Sequence, residues 1–286
     1  MRADQRAKRD DFLSKLGAHP VVMGILNVTP DSFSDGGRFL AADAAIAHAK
    51  AMAAQGCAII DIGGESTRPG AAPVPEAEEL ARIGAVVARL ADELAVPVSV
   101  DTYKASVAAR AVELGAVLIN DVWGLQKDPG MADTAAAAEA AVVIMHNRSE
   151  KDEALDVVAD LRRFFDRSLL LAARAGIPER HIVLDPGIGF GKTARQNIDA
   201  IARLGELADY RRPIMIGASR KRFFGSHVPA GIERGTEGQL VGTVAVSLAA
   251  AAAGASLFRV HDVAEHVAAL ALFAALRPAG PGSSMN

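Results

Sequence analysis

The amino-acid sequence predicts an α/β fold, a single (β/α)₈ TIM barrel with a short N-terminal extension, from three observations. Short apolar runs without polar alternation recur eight times, as in strands of a parallel sheet that is covered on both faces. Between them lie Ala-, Leu- and Glu-rich stretches with helical spacing. The repeating unit averages about 33 residues, the length of one strand, one helix and two loops. Eight such units within 286 residues fit a closed barrel better than an open sheet.

The eight apolar runs predict strands, in chain order, at residues 21–26, 57–60, 97–100, 117–119, 141–145, 182–184, 213–216 and 256–260. The stretches with helical spacing predict helices at residues 41–55, 76–94, 104–114, 155–175, 195–208, 238–253 and 263–276. Residues 1–19 are expected to form a helix or a flap across the bottom of the barrel. The barrel then spans residues 20–277, and the Gly/Pro/Ser-rich residues 278–286 are expected to be a flexible tail.

Composition and charge exclude several classes of partner. Lys and Arg number 31 and Asp and Glu number 34, a net charge of −3, so there is no positive surplus for nucleic acid or an anionic membrane. The charged N-terminus lacks an apolar signal region, and the Ala-rich run 243–257 is too short to span a bilayer. We therefore expect a cytoplasmic protein. The single cysteine, Cys57, lies in an apolar run and is expected to be a buried hydrophobe rather than a nucleophile.

Polar residues end the apolar runs on their carboxyl side. The eight markers are Asn27, Asp61, Asp101, Asn120, His146, Asp185, Ser219 and His261. In a barrel the carboxyl ends of the strands surround one opening, where such folds carry out their chemistry. A cap for the following helix is the alternative for any one of these residues, but eight together indicate a single site.

The run after the sixth strand, DPGIGFGKT at residues 185–193, suggests two nucleotide-binding motifs and fits neither. A P-loop requires glycine where Pro186 stands, and a dinucleotide fingerprint requires glycine where Lys192 stands. The glycines more plausibly let the backbone pass close to a flat ligand that Asp185 holds, with Phe190 as a packing face. A structural turn without a ligand is the competing interpretation.

Cationic groups follow the seventh and eighth strands. The run SRK at residues 219–221 ends one of them, and strand alternation places Arg259 and His261 on the same inward side of the other. Neighbouring groups of this kind suit an oxyanion such as a phosphate. Arg259 lies within an apolar strand and requires a partner there. Two loops, 27–37 and 63–70, are rich in hydroxyls, carboxylates and glycine, as expected for lids that exclude water.

Taken in order, these motifs resemble those of the dihydropteroate synthase family of pterin-binding barrels, and the match extends over residues 21–276. The motifs that carry the resemblance are GILNVTPDSFSDGG at 24–37, DIGGESTRPG at 61–70, SVDT at 99–102, IND at 119–121, DPGIGFGK at 185–192, SRK at 219–221 and RVHD at 259–262. The resemblance implies a transferase of folate biosynthesis, a sulfonamide target, that joins 6-hydroxymethyl-7,8-dihydropterin pyrophosphate to p-aminobenzoate with Mg²⁺ as cofactor.

The same resemblance implies a role for each matching residue. The pterin edge is expected at Asp101, Asn120, Asp185 and Lys221, and the slot around its ring at Val122, Met145, Phe190 and Gly217. The p-aminobenzoate pocket is expected at Phe33, Thr67, Pro69, Phe190, Ser219 and Lys221. The pyrophosphate contacts are expected at Asn27, Arg68, Arg259 and His261, with Asn27 also a Mg²⁺ ligand. The residues expected to act in catalysis are Asn27, Arg68, Asp101, Asp185, Lys221, Arg259 and His261.

The expected mechanism is early departure of pyrophosphate followed by attack of the arylamine, without an enzyme nucleophile. One alternative is a methyltransferase that moves a methyl group from methyltetrahydrofolate to a corrinoid on a similar barrel; it would leave Arg68 and Arg259 without a purpose. Another is a non-catalytic pterin-binding paralogue. The Ala-rich helical stretches 241–253 and 263–276 suggest a homodimer, as is usual in the family, although good packing on the barrel would account for them equally.

Overall fold

Eight parallel strands curl into a nearly closed barrel in the computed structural model, which describes residues 1–28, 38–66, 72–221 and 236–276. The strands are β1 (Val21–Asn27), β2 (Ile59–Gly63), β3 (Val98–Asp101), β4 (Leu118–Asp121), β5 (Ala141–Met145), β6 (Ile182–Asp185), β7 (Met215–Ile216) and β8 (Leu257–Val260). Hydrogen bonds join them in the order β6-β5-β4-β3-β2-β1-β8-β7. A single bridge between Leu184 and Ile214 brings β6 beside β7 and completes the circle.

Helices alternate with the strands around the outside of the barrel. They are α1 (Ala3–Lys15), α2 (Arg38–Ala54), α3 (Glu76–Glu93), α4 (Ala105–Leu114), α5 (Met131–Ala137), α6 (Val157–Ala175), α7 (Ala194–Ala202), α8 (Thr236–Ala252) and α9 (Val263–Leu276). Short 3₁₀ helices lie at Glu179–His181 and Leu204–Tyr210. The (β/α)₈ prediction is confirmed.

The helices differ from the prediction in two places. The helix predicted at 195–208 ends at Ala202, and a 3₁₀ helix that contains Gly205 takes its place, because glycine is a poor helix former. Helix α5 was not predicted, since its Ala-rich sequence runs without a break into the apolar residues of β5.

Two layers of apolar side chains hold the barrel together. One layer fills the space between the sheet and the surrounding helices. The other fills the amino-terminal half of the barrel interior, and its strand residues are Val21, Met23, Ile59, Leu118, Ala141, Val143, Val183, Met215 and Leu257. Because side chains alternate along a strand, the next inward position on each strand lies nearer the carboxyl end, where the candidate site is found.

Helix α1 closes the amino-terminal end of the barrel. Phe12 is fully buried against the interior layer. The Gln5 amide donates to the Val112 carbonyl at 2.9 Å, and the buried Arg9 guanidinium donates to the Glu139 carbonyl. Of the two forms expected for residues 1–19, the structure shows the helix. The tail predicted at 278–286 lies outside the described residues.

Cys57 is buried, and burial raises the pKa of its thiol to about 11, which confirms the interpretation as a hydrophobe. Within the described ranges, no helix is long and apolar enough to cross a membrane. On α8 and α9, the apolar side chains of Val241, Leu272 and Leu276 are exposed.

Candidate functional site

A second inward layer, at the carboxyl ends of the strands, is mainly polar. Alternation along the strands places in it Ile25, Asp61, Asp101, Asn120, Met145, Asp185, Gly217 and Arg259. Strand pairing fixes their order: Asp101 lies opposite Asn120 on the next strand, and Met145 lies opposite Asp185. The apolar interior therefore ends in a ring of polar groups at one mouth, as the strand-end pattern predicted.

Arg259 joins three strands across this mouth. Its Nε donates to Asp61 Oδ2 and its Nη2 donates to Asp101 Oδ2, both at 2.6 Å. Asp61 Oδ2 also accepts a hydrogen bond from Asn120 Nδ2 at 2.9 Å. The partner that Arg259 requires inside an apolar strand is thus a pair of buried carboxylates.

Three acceptor oxygens in the same cluster have no donor among the residues that the structure describes. They are Asp61 Oδ1, Asp101 Oδ1 and Asn120 Oδ1, and all three are buried. A buried acceptor without a donor is costly in free energy. The cluster is therefore matched to a ligand that presents several N–H groups.

Burial and neighbouring charges shift the pKa values in this cluster. Burial raises the pKa of Asp101 to about 7, against the opposing effect of the Arg259 guanidinium. Burial lowers the pKa of Arg259, but the carboxylates of Asp61 and Asp101 outweigh it and hold that pKa above its usual value. The guanidinium therefore stays charged.

Asp185 and Lys221 lie on the opposite side of the mouth. Asp185 Oδ1 accepts a hydrogen bond from the Gly187 amide at 2.7 Å, and burial raises the pKa of this carboxyl. Lys221 Nζ donates to the Ile188 carbonyl and lies 4.3 Å from the centre of the Phe190 ring. Burial lowers the pKa of Lys221 to about 8. The three residues expected to hold or cover a pterin here are thus brought together.

Two glycines leave room for these side chains. Gly189 has a φ of +86°, and a Cβ at this position would lie 2.8 Å from Lys221 Cδ. A Cβ at Gly217 would lie 3.8 Å from Asp185 Oδ2. Both positions therefore keep space open beside the two charged groups, which agrees with a slot for a flat ligand.

Ser219 and His261 form a second contact at the rim. Ser219 Oγ lies 3.0 Å from His261 Nδ1 and accepts a hydrogen bond from the His261 amide at 3.1 Å. Ser219 was predicted for the p-aminobenzoate pocket and His261 for pyrophosphate. Their contact places the two predicted subsites side by side.

Asn27, the predicted Mg²⁺ ligand, lies exposed at the end of β1, opposite Gly63. A Cβ at Gly63 would lie 3.7 Å from Asn27 Oδ1 and 3.8 Å from Asp101 Oδ2, so both oxygens lie beside this glycine. Among the described residues, no three His, Cys, Asp or Glu side chains are arranged to hold a metal. The donors present fit Mg²⁺, which commonly takes one or two protein oxygens and completes its shell with water and substrate phosphates.

The remaining predicted residues fall into two groups. Val122 and Met145 are buried near the mouth, at 4% and 3% exposure. Phe33, Thr67, Arg68 and Pro69 lie outside the described residues.

At the start of the second loop, Glu65 accepts hydrogen bonds from the Tyr103 hydroxyl at 2.9 Å and from Lys104.

Sequence reasoning gave no role to three residues that the structure places at the site: Asp61, His146 and Lys192. Asp61 and His146 were among the strand-end markers, so their position was visible but their partners were not. Lys192 lies in the motif that follows the sixth strand, but nothing in that motif indicates its contacts. Each of the three has at least one partner far along the chain: Asp61 contacts Asn120 and Arg259, and His146 contacts Lys192.

Comparison with known proteins agrees with this geometry. The sequence profile of the family described as "Pterin binding enzyme" matches residues 23–261. The dihydropteroate synthase of Bacillus subtilis is 47% identical over 243 residues, which is 85% of this chain and 84% of that protein. The dihydropteroate synthase of Escherichia coli K12 is 42% identical over 259 residues, covering 88% and 90% of the two chains.

Solved structures give the same result. A dihydropteroate synthase from Clostridium difficile, crystallised in the presence of pteroic acid, superposes with a TM-score of 0.86 and 46% identity, covering 91% of this chain and 97% of that one. The Xanthomonas albilineans enzyme in complex with 7,8-dihydropteroate superposes with a TM-score of 0.81 and 43% identity, covering 90% and 94%.

Proposed function

The chain belongs to the dihydropteroate synthases of the pterin-binding enzyme family, and we infer that it joins 6-hydroxymethyl-7,8-dihydropterin pyrophosphate to p-aminobenzoate. The products are 7,8-dihydropteroate, an intermediate of folate biosynthesis, and pyrophosphate. Relatives crystallised with 4-aminobenzoic acid and with 7,8-dihydropteroate support this choice of substrate and product.

The observation that carries the assignment is the set of three buried acceptor oxygens on Asp61, Asp101 and Asn120. A pterin presents an amino group and ring N–H groups along one edge, which are donors for such acceptors. The ammonium group of Lys221, on the other side of the mouth, is a donor for the acceptors of the same ring system. Edge recognition of this kind fixes the ring and leaves its methylene group at the open rim.

Substitution at that methylene proceeds by early departure of pyrophosphate. The bond between the methylene carbon and the diphosphate oxygen breaks with its electron pair on oxygen, and the cation that remains is delocalised into the dihydropterin. The carboxylates of Asp101 and Asp185 favour that positive charge. The arylamine nitrogen then bonds to the methylene carbon and loses its proton. The carbon–nitrogen bond thus forms without a covalent intermediate on the protein.

The leaving group is expected to lie between Asn27 and the cationic groups of the eighth strand. Arg259 and His261 stabilise the negative charge that develops on the diphosphate, together with Arg68. Asn27 would hold Mg²⁺ through its amide oxygen, and the metal would supply Lewis-acid stabilisation of the same charge. Arg259 is held by Asp61 and Asp101, so it is charged and oriented at the mouth.

Assembly and location are further proposals. A homodimer through α8 and α9 would cover the exposed side chains of Val241, Leu272 and Leu276. The cytoplasm is the expected location, and the p-aminobenzoate pocket is the expected site of sulfonamide binding, because a relative from Yersinia pestis was crystallised with a sulfonamide drug.

One assay tests the reaction against its alternatives. Pyrophosphate release from the pterin substrate is measured with Mg²⁺, with and without p-aminobenzoate, and dihydropteroate is detected directly. Product formation that requires both substrates supports the assignment. Methyl transfer from methyltetrahydrofolate to a corrinoid would indicate the related methyltransferase, and pterin binding without turnover would indicate a non-catalytic paralogue; either result overturns the proposal.

Substitution of Asp185 tests the pterin cradle, by which we mean Asp101, Asn120, Asp185 and Lys221. We expect Asp185→Asn to abolish pterin binding in isothermal titration calorimetry, because the amide places a donor where the ligand also donates. The control is Asp133→Asn at an exposed position on α5, which should bind as the wild type does. Unchanged affinity of the Asp185→Asn protein would contradict the role of this carboxylate.

A further inference from the structure

A buried lysine lies directly behind the pterin cradle. Lys192 is 3% exposed, and its Nζ donates to the carbonyl oxygens of Gly187 at 3.0 Å and Phe190 at 3.2 Å. Its third contact is His146 Nδ1, at 2.7 Å. Burial lowers the pKa of Lys192 to about 7, and the nearby Asp185 carboxylate opposes that shift. As an ammonium group Lys192 has three protons to donate, and each of them then has an acceptor.

His146 is held as an acceptor by a carboxylate on its other side. The ring is 1% exposed, and its Nε2 lies 3.1 Å from Asp160 Oδ2. Burial lowers the pKa of His146 to about 4, so the ring is neutral. A neutral imidazole carries one proton. Here Nε2 carries it and donates a hydrogen bond to the Asp160 carboxylate, which leaves the lone pair of Nδ1 facing Lys192. Arg148 donates to the same Asp160 oxygen at 2.8 Å and fixes the carboxylate in turn.

The group that Lys192 binds is the backbone turn that orients Asp185. The Gly187 amide donates to Asp185 Oδ1 at 2.7 Å, while the Gly187 carbonyl accepts from Lys192. The backbone amide of His146 donates to the Asp185 carbonyl at 2.9 Å, so His146 contacts Lys192 through its ring and Asp185 through its backbone. At the far end of the turn, the Phe190 carbonyl accepts from Lys192 and its ring lies beside Lys221.

We propose that Lys192 is a positioning residue for the pterin site. Its ammonium group fixes the turn 187–190 and, through that turn, the Asp185 carboxylate and the Phe190 ring. The His146–Asp160 pair holds Lys192 in place. The residue touches no reacting atom. Its effect is on the geometry of ligand binding, and the proposal rests on the proposed function in taking the pterin as the ligand.

Replacement of Lys192 by methionine tests the proposal. The side chain keeps a similar length and loses its three donors, so the turn loses two hydrogen bonds. We expect the KM for 6-hydroxymethyl-7,8-dihydropterin pyrophosphate, and its dissociation constant in calorimetry, to rise about ten-fold or more. We expect kcat to fall by a smaller factor, since the groups that act on the leaving diphosphate are untouched.

Arg9→Met is the matched control. Arg9 is also a buried cation that donates to a backbone carbonyl, but it lies at the opposite end of the barrel. A purely structural loss should lower stability and leave the KM for the pterin substrate unchanged, and we expect this for Arg9→Met. Equal effects of the two substitutions on KM would overturn the positioning role of Lys192.

A pair of His146 substitutions tests the acceptor itself. In His146→Asn the amide oxygen can take the place of Nδ1 and still accept from Lys192, whereas in His146→Gln the amide takes the place of Nε2 and faces Asp160. We expect pterin affinity within about three-fold of the wild type for the asparagine variant, and a loss of about ten-fold for the glutamine variant. The reverse order, or equal affinities, would contradict the proposal that His146 holds Lys192 by accepting its hydrogen bond. This pair decides the question even if Lys192→Met does not fold.

A readout without turnover separates this inference from the assigned reaction. Hydrogen exchange of the segment 185–191 should be faster in Lys192→Met than in the wild type and in Arg9→Met. If the wild type binds pterin but forms no dihydropteroate, the assigned reaction fails while affinity and exchange still test Lys192. Unchanged exchange together with unchanged affinity would refute the inference whatever the turnover.

Discussion

At the scale of single residues, the charge of Arg259 has two uses. Its guanidinium is bonded to the buried carboxylates of Asp61 and Asp101, which together carry more negative charge than it neutralises. A cation held by buried carboxylates is costly to remove, because removal leaves them without compensation. The same group is the predicted contact of the leaving diphosphate. Its role in binding thus cannot be separated from its role in stability by deletion alone.

Two substitutions of Arg259 separate these roles. We expect Arg259→Ala to lower the free energy of unfolding by about 3–5 kcal/mol and to abolish turnover. In Arg259→Lys the charge remains, but an ammonium group lacks the planar fork that spans both carboxylates. We expect it to restore most of the stability while turnover stays about 100-fold below the wild type. Denaturant titration and pyrophosphate release measure the two quantities, and a lysine variant with full turnover would contradict the predicted contact.

Among the site residues, those at strand ends were predictable and their pairings were not. Asp101, Asn120 and Asp185 follow apolar runs, so the sequence indicates where they lie. The bond between Arg259 and Asp61 joins residues 198 positions apart, and hydrophobic periodicity carries no information about such pairs. Lys192 shows the same limit, because its partner His146 lies 46 positions away.

At the scale of elements, the turn after β6 depends on one glycine. Gly187 has a φ of +65°, in the left-handed region that disfavours other residues, and a Cβ there would lie 1.9 Å from the His146 carbonyl oxygen. Glycine is therefore required for both conformation and space. The same turn carries the amide that Asp185 accepts, so a change here reaches the pterin cradle directly.

We expect Gly187→Ala to lower the free energy of unfolding by at least about 2 kcal/mol, and to weaken pterin binding. The matched control is Gly205→Ala in the 3₁₀ helix Leu204–Tyr210, where a Cβ would meet no atom within 4 Å. That change should be neutral or slightly stabilising, since it lowers the entropy of the unfolded chain. Thermal denaturation compares the two variants, and similar melting temperatures would show that the turn tolerates a side chain.

Most strands were predictable because strands covered on both faces consist of continuous apolar residues. The largest shift is at β2, predicted at 57–60 and observed at Ile59–Gly63. Its second half contains Asp61 and Gly63. Because charged residues and glycine are rare in strands, the apolar pattern places the end of β2 too early. The polar residue is inside the barrel because Arg259 neutralises it, and a tertiary contact of this kind outweighs local preference.

At the scale of the whole molecule, the two ends of the barrel have different chemistry. One mouth holds the charged groups of the candidate site, and the other is closed by α1. At the closed end His181 is 3% exposed, and neither of its ring nitrogens has a partner within the described part of the chain. Burial lowers the pKa of His181 from 6.5 to about 4, and the charge of Arg9 acts in the same direction.

This shift predicts a pH dependence of stability with a definite sign. Between pH 6.5 and about 4 the unfolded chain binds a proton at His181 that the folded chain does not. Acidification therefore destabilises the fold through this residue. Compared with His181→Leu, the wild type should lose about 2 kcal/mol of unfolding free energy between pH 7.5 and 4.5.

Buried carboxyl groups such as Asp101 shift stability in the opposite direction, since burial raises their pKa. The comparison with His181→Leu cancels them, because both proteins contain them. Urea titrations at several pH values provide the free energies, with His19→Gln at an exposed position as the control for loss of a histidine. A constant difference between wild type and His181→Leu across this range would contradict the prediction.

The strand circle has one weak joint. Strands β6 and β7 are linked through a single bridge at Leu184 and Ile214, whereas β1 and β2 pair over five residues. Asp185 is the last residue of β6, and Lys221 follows β7. A heterocycle bound by both side chains would hold these two strands together. The substrate would then complete the wall that surrounds it, so an empty barrel should open most readily where the next molecule has to enter.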